Sequence, residues 1–357
     1  MKKYLCILMF LLLLTGTAQA AELPRELTEA LPEAAEEVLD LDLEGPAALA
    51  QGVEGLLERM AGEVKAVLRQ RLRGAASILL VVAACGAMDG FARGTGKREN
   101  AFLPMVGALA VTLLTAGSLE DLIGLGVETI GQLNLFSKAL LPTLAAATAA
   151  SGAVTTATFQ QVTTVFLADL LMNLIDGLLL PLVYLYIGAL AASSCLPENR
   201  LGAIADGLKK VVTWVLTTSL LLFTVYLSAV RVVAGAADGS AVKVAKAAIS
   251  GAVPVVGGII AEAAETVLAG AGMLKNTIGV FGMLVILSAC AYPFLQLGIQ
   301  YLLYKLSAFL AAAVGAPGLC KLIDGLGGAF GLVLGMTGSC ALLLLISVLS
   351  SLAAVTP

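Results

Sequence analysis

Long apolar stretches with few or no charges fill this chain from residue 74 to its last residue, and they limit what it can fold into. A soluble domain is about a quarter charged, whereas only 13% of these 357 residues are. A helix that crosses a bilayer needs about 20 apolar residues. We therefore predict an all-α polytopic membrane protein with about seven spans. The stretches are 74–92, 101–119, 139–168, 177–197, 211–230, 247–261, 276–304 and 325–357.

Two of these stretches leave the span count open. Residues 276–304 fit either one kinked span or two short spans that meet near Pro293, and residues 247–261 are too short for an ordinary span. The basic residues in 93–100 place that loop in the cytoplasm, and those in 197–210 favour the same side. Beyond residue 130 the distribution of basic residues among the loops does not settle which side of the membrane each loop faces.

The amino terminus has the three parts of a secretory signal peptide. Lys2 and Lys3 supply the positive region, residues 5–14 form a short apolar core, and an A-x-A site ends at Ala20. The core is too short for a comfortable span, although an uncleaved anchor is the alternative interpretation. Cleavage would leave Ala21 as the first residue, outside the cytoplasm.

An acidic segment separates the signal peptide (residues 1–20) from the membrane domain (residues 74–357). Residues 22–73 hold 12 of the 25 acidic residues of the chain, and apolar residues recur there at helical spacing. A break near Gly45 predicts two amphipathic helices. Some 50 residues cannot build a large core alone, so we expect the apolar faces of segment 21–73 to dock on the membrane domain or on another protein.

The composition argues against several classes of function. The chain has no histidine, and its six cysteines are scattered without a CxxC pair, so triads, histidine-ligated metals and disulfide frameworks are unsupported. A net charge of −4 without a dense basic run gives no support for nucleic-acid binding. We predict no enzyme activity, no cofactor and no metal.

The most distinctive local segment surrounds Pro254, Gly257 and Gly258. Proline removes a backbone donor and paired glycines permit irregular dihedral angles. At membrane depth the freed backbone groups must meet protein or water. The segment is therefore either a broken helix that lines a pathway or a tight packing turn between helices.

Asp169, Asn173 and Asp176 form a second candidate site. Spacings of four and three residues place them on one helix face. Acidic residues inside a membrane usually face a bundle interior or a water-filled cavity. The alternatives are a cation or proton relay, or a polar helix contact near the end of a span.

The chain also shows signs of an internal duplication. Pro142 and Pro254 are 112 residues apart, as are Pro181 and Pro293, and an Asp-Gly-Leu segment occurs twice at an offset of 118. The two segments begin at Asp206 and Asp324. Repeats with broken helices at matching positions are typical of transporters and channels, although chance matches are easy in a chain of this composition.

The sequence resembles the stage III sporulation protein AE family of endospore-forming bacteria. The resemblance rests on the order of signal peptide, acidic segment and Gly/Ala-rich membrane region. It also rests on the run KAAISGAVPVVGG at 246–258 and on the two Asp-Gly-Leu segments. It covers essentially the whole chain.

The resemblance implies a membrane-embedded subunit of a transenvelope channel or secretion complex that links mother cell and forespore and sustains late forespore gene expression. It implies a location in the mother-cell membrane around the forespore. It also implies partners among the other membrane proteins of the stage III sporulation operon and the stage II sporulation protein Q. The family has no assigned catalytic residues. The alternative is an autonomous secondary transporter that uses the intramembrane aspartates.

Overall fold

The computed structural model describes residues 24–41, 47–94, 102–195, 200–252, 257–314 and 317–353. The predicted signal peptide, with its cleavage site between Ala20 and Ala21, lies outside these residues. The described part is almost entirely helical, which confirms the all-α prediction. Its helices are α1 (Arg25–Glu29), a 3-10 helix (Glu33–Asp40), α2 (Ala48–Gly94), α3 (Phe102–Ala150), α4 (Val154–Leu174), a π-helical turn (Ile175–Leu179), α5 (Leu180–Cys195), α6 (Arg200–Ala252), α7 (Gly257–Ala313) and α8 (Pro317–Leu352).

Within the described residues, six helical segments are long and apolar enough to cross a membrane, against about seven expected. The chain is thus a multi-pass membrane protein. Residues 276–304 form one continuous helix, so the single-span alternative is correct. The uncharged stretch 139–168 is instead divided between α3 and α4 by a turn at Gly152, whose φ of 97° suits glycine and disfavours other residues.

Contacts between the long helices show how they run. Gly52 of α2 meets Leu284 of α7, and Gly86 of α2 meets Val314, which directly follows α7, so α2 and α7 are parallel. The long helices alternate in direction along the chain when α4, the π turn and α5 are counted as one segment. The ends of α2, α5 and α7 therefore lie at one end of an up-and-down bundle, together with the starts of α3, α6 and α8.

The helices α7 and α8 form the centre of the bundle. In their most apolar windows 67% and 61% of residues are buried, against 17% in α2. Aromatic rings join this centre to its neighbours. Phe136 of α3 packs edge-on to Phe281 of α7 at 6.3 Å, and Tyr304 of α7 packs on Phe330 of α8 at 5.1 Å. Because these two helices contain the most apolar windows of the six, their burial is expected.

The acidic segment docks on this bundle. Leu27, Ala35 and Val38 are buried, and the 3-10 helix contacts α7 while α1 contacts α3. A spacing of three residues between Ala35 and Val38 places both side chains on one face of a 3-10 helix. Glu37 forms an ion pair with Arg59 of α2.

The structure divides this segment differently from the two predicted amphipathic helices, and the predicted break near Gly45 lies outside the described residues. The first is divided into α1 and the 3-10 helix at Pro32. The second is the beginning of α2, which has 47 residues and continues through residue 73 into the first span. No proline interrupts α2. A glycine inside a helix lowers its stability by only about 1 kcal/mol, so the one at position 74 does not end α2.

Candidate functional site

The two Asp-Gly-Leu segments lie at the same end of two neighbouring parallel helices, α6 and α8. A Cβ atom at Gly328 would stand 3.0 Å from Lys209 Nζ, and one at Gly335 would stand 3.9 Å from Leu216 Cδ1. Both pairs are 119 residues apart, close to the offset of 118 in the sequence. Helices that correspond in the proposed duplication are therefore packed side by side, nearly in register.

The environments of the two aspartates differ. Lys305 Nζ lies 2.5 Å from Asp324 Oδ1, whereas Asp206 is exposed and has no ion pair within the described residues. The Tyr186 hydroxyl donates a 2.7 Å hydrogen bond to the carbonyl of Gly325. These contacts tie α5 and α7 to the first turns of α8.

Two adjacent glycines allow close contacts on two different sides of α8. A Cβ at Gly328 would lie 2.9 Å from the Tyr186 hydroxyl and 3.0 Å from the Lys209 amine. A Cβ at Gly327 would lie 3.0 Å from Cβ of Tyr304 on α7. Small residues allow membrane helices to approach this closely. The glycines thus set the spacing of α8 against its neighbours.

The acidic face of α4 lies on the outside of the bundle. Asp169 Oδ1 is 3.9 Å from Nζ of Lys138 on α3, and the two side chains are 48% and 57% exposed. Asn173 and Asp176 are exposed as well. The structure therefore places this predicted site on an outer surface, where it can meet lipid headgroups, water or a partner.

The helix changes its winding at Asp176. The π-helical turn Ile175–Leu179 ends two residues before Pro181. Proline has no N–H and its ring clashes with the carbonyl four residues earlier, so wider winding just before it relieves both problems. Pro181 is thus the cause of the one described irregularity in this segment.

The other prolines behave differently. Pro142 and Pro293 lie inside continuous α-helices. Pro254 lies outside the described residues, and Gly257 and Gly258 begin α7. Whether residues 253–256 line a pathway stays a prediction.

A buried polar seam, which the sequence analysis missed, joins α2, α3 and α7. We define the polar seam as Arg71, Thr115, Gln296, Gln300 and Tyr304. The Arg71 guanidinium donates a hydrogen bond to the Gln296 amide oxygen, and the Tyr304 hydroxyl donates one to the Thr115 hydroxyl oxygen at 3.0 Å. The last four residues are 94% buried or more. Gln296, Gln300 and Tyr304 recur at intervals of four residues on α7, so they share one helix face. This spacing was the signal available in the sequence.

The polar seam supplies hydrogen bonds and one lasting positive charge, because arginine stays protonated in proteins. Arg71 Nε and Gln300 Oε1 are buried without a hydrogen-bond partner. The seam holds no carboxylate or thiol that could act as acid, base or nucleophile.

Metal and disulfide chemistry find no support in the described part of the chain. No group of three or more His, Cys, Asp or Glu residues there could hold a metal ion. Cys85, Cys290, Cys320 and Cys340 are free thiols. Cys340 Sγ lies 3.6 Å from the sulfur of Met172, a contact that joins α8 to α4.

Comparison with known proteins gives two matches. The family model described as Stage III sporulation protein AE matches residues 44–354. A curated protein of Bacillus subtilis (strain 168) with the name "Stage III sporulation protein AE" is 26% identical over 216 residues. The aligned part covers 60% of this chain and 54% of that protein, so this chain spans about half the length of its relative. No solved structure matches this chain.

Proposed function

Because this chain belongs to the stage III sporulation protein AE family, we propose that it is a membrane-embedded subunit of the transenvelope channel or secretion complex that links mother cell and forespore. Membership in the family gives the protein a role in sporulation. The family match over residues 44–354 is the observation that carries the proposal. The six-span bundle supports it, because a subunit of such a complex must be held in a membrane.

The packing of the bundle favours a pathway between subunits over a pathway through one chain. The central helices α7 and α8 pack so closely that a Cβ at Gly327 would stand 3.0 Å from Tyr304. A cleft of about 60 Å³ among the described residues is lined by the 3-10 helix, α2 and Ser288 of α7. A conducting path would then form where surfaces of several chains meet.

The complex would sit in the mother-cell membrane around the forespore. Its other members would be membrane proteins of the stage III sporulation operon and the stage II sporulation protein Q. The docked acidic segment supports a role in assembly, since α1 and the 3-10 helix leave Glu29, Glu33 and Glu36 exposed on the outside of the bundle. These acidic residues are available to partners.

Purification from sporulating cells tests the proposal. A tagged chain should bring down other stage III sporulation membrane proteins after gentle solubilisation, whereas an unrelated tagged polytopic protein should not. Loss of the gene should block late forespore reporter expression. If the chain is purified alone and the deletion strain forms heat-resistant spores normally, the proposal is wrong.

A liposome experiment separates this role from an autonomous transporter. The outward position of Asp169 and Asp176 gives the transporter no enclosed binding site among the described residues. The Asp169→Asn, Asp176→Asn variant should therefore still support sporulation. Solute uptake by the purified chain alone, abolished in that variant, would instead establish the transporter.

A further inference from the structure

An exposed face of α3 carries alternating glycines and acids. Gly117, Asp121, Gly124, Glu128 and Gly131 follow one another at intervals of four and three residues, and all five are exposed. No atom lies within 4 Å of a Cβ built on any of the three glycines, so this face is open. We name these residues the acidic stripe. Intervals of three and four residues are those at which a second helix packs along a first.

A complementary face lies on α2. Lys65, Arg69 and Arg73 recur every four residues and are exposed, and we name them the basic stripe. Within the described residues none of the three forms an ion pair, and the same is true of Asp121 and Glu128. Both stripes therefore carry charge that no other described residue of the same chain neutralises.

The two stripes lie at the same height along the bundle. Arg71, which lies between Arg69 and Arg73 along α2, contacts Gln296 of α7. A Cβ at Gly126, which lies between Gly124 and Glu128 along α3, would stand 3.9 Å from Cδ1 of Leu297, the next residue of α7. The nearly uncharged stretch 74–92 of α2 directly follows the basic stripe, and the uncharged stretch 101–119 of α3 ends two residues before Asp121.

We propose that the acidic stripe on α3 is a docking surface for the basic stripe on α2 of a second copy of this chain. Copies in one membrane share one orientation, so equal height along the bundle lets the stripes meet. A symmetric pair through α3 would instead set acid against acid, which is unfavourable. The contact is therefore head-to-tail, the type of interface that closes into rings.

The glycines add a steric reason for this occupant. Their open positions let a neighbouring helix approach closely, as at other membrane helix contacts. Gly62, on the same side of α2 as Lys65 and Arg69, also has open space beside it. The inference concerns this chain's own surface and goes beyond the proposed function, so each can fail without the other.

Charge reversal in the full chain tests the docking surface. The variant Asp121→Lys, Glu128→Lys and the variant Lys65→Glu, Arg69→Glu should each weaken self-association of the detergent-purified chain at least about tenfold, measured as mass against concentration by light scattering. The four substitutions together should restore it, because the charges are again complementary. Lys210→Glu is the matched control. It reverses an exposed charge near the beginning of α6, outside both stripes, and should leave the mass unchanged.

Crosslinking decides the geometry. In a background with the native cysteines replaced by alanine, a copy with Arg69→Cys and a copy with Glu128→Cys, two positions at the same height, should crosslink to each other when mixed, and neither should crosslink to itself. A self-crosslink of the Arg69→Cys copy would overturn the head-to-tail contact. If the wild-type chain is monomeric at all concentrations, the second copy is not the occupant. The same holds if the chain associates only with another sporulation protein or only with anionic lipid. Circular dichroism of each variant confirms that its helices are intact.

Discussion

Tyr304 of α7 donates its phenolic hydrogen to the hydroxyl oxygen of Thr115 on α3 across 3.0 Å, and the two residues are 98% and fully buried. This bond closes the polar seam between two helices that run in opposite directions. Replacing Tyr304 by Phe should lower the free energy of unfolding by about 1 kcal/mol, because Thr115 loses a partner. Thermal or denaturant unfolding in detergent measures this.

A double-mutant cycle checks the assignment. Thr115→Val removes the other side of the same bond, so the two substitutions together should cost clearly less than the sum of their separate effects. Strict additivity would show that the hydrogen bond contributes nothing.

The Arg71 guanidinium should matter more for stability than that of Arg69. Arg71→Ala removes the donor to Gln296 and leaves that buried amide oxygen without a partner, which costs about 1–3 kcal/mol. Arg69 is exposed and unpaired in the described chain, so Arg69→Ala should change the unfolding free energy by less than about 0.5 kcal/mol. Equal effects of the two substitutions would contradict the seam.

Close packing between α7 and α8 should make Gly327 intolerant of a side chain. A Cβ there would lie 3.0 Å from Cβ of Tyr304, near the root of a side chain that cannot simply rotate away. Gly327→Ala should therefore destabilise the bundle by about 1–3 kcal/mol. Gly298→Ala is the matched control, because it lies inside α7 with open space beside it and should be neutral or stabilising.

The two Asp-Gly-Leu segments should respond unequally to the same change. Asp324→Asn breaks the pair with Lys305, whose side chain is 32% exposed, and should cost up to about 1 kcal/mol. Asp206→Asn removes no ion pair and should cost less. Unfolding of both variants under one condition gives the comparison, and a larger loss for Asp206→Asn would show that the ion pair does not stabilise this end of the bundle.

Basic residues near the shared end of the helices predict the orientation of the protein. Arg93, Arg200 and Lys321 lie close to the connections between α2 and α3, α5 and α6, and α7 and α8, which favours the cytoplasm for that end. A cysteine placed at Lys97 should resist a membrane-impermeant reagent in intact cells, whereas one placed at Ser151 should react. The reverse pattern would contradict this orientation.

Several features could be read from the sequence because they depend on composition and periodicity alone. Long uncharged stretches must avoid water, so the membrane class, the helical fold and most spans follow from them. Residues 25–40 were expected to be amphipathic, and their apolar residues Leu27, Ala35 and Val38 are buried. The resemblance to the family that the matches establish was also visible in the motifs.

Only the tertiary structure decided which polar residues meet. In a hydropathy profile Gln296, Gln300 and Tyr304 are minor interruptions of an apolar helix. Contacts with Arg71 and Thr115, which are far away in the chain, join them into a buried seam. The same holds for Asp169, which helical spacing alone could not place inside or outside the bundle. Spacing along one helix determines which residues share a face. What that face meets depends on the positions of all the other helices, and those positions follow from packing across the whole chain.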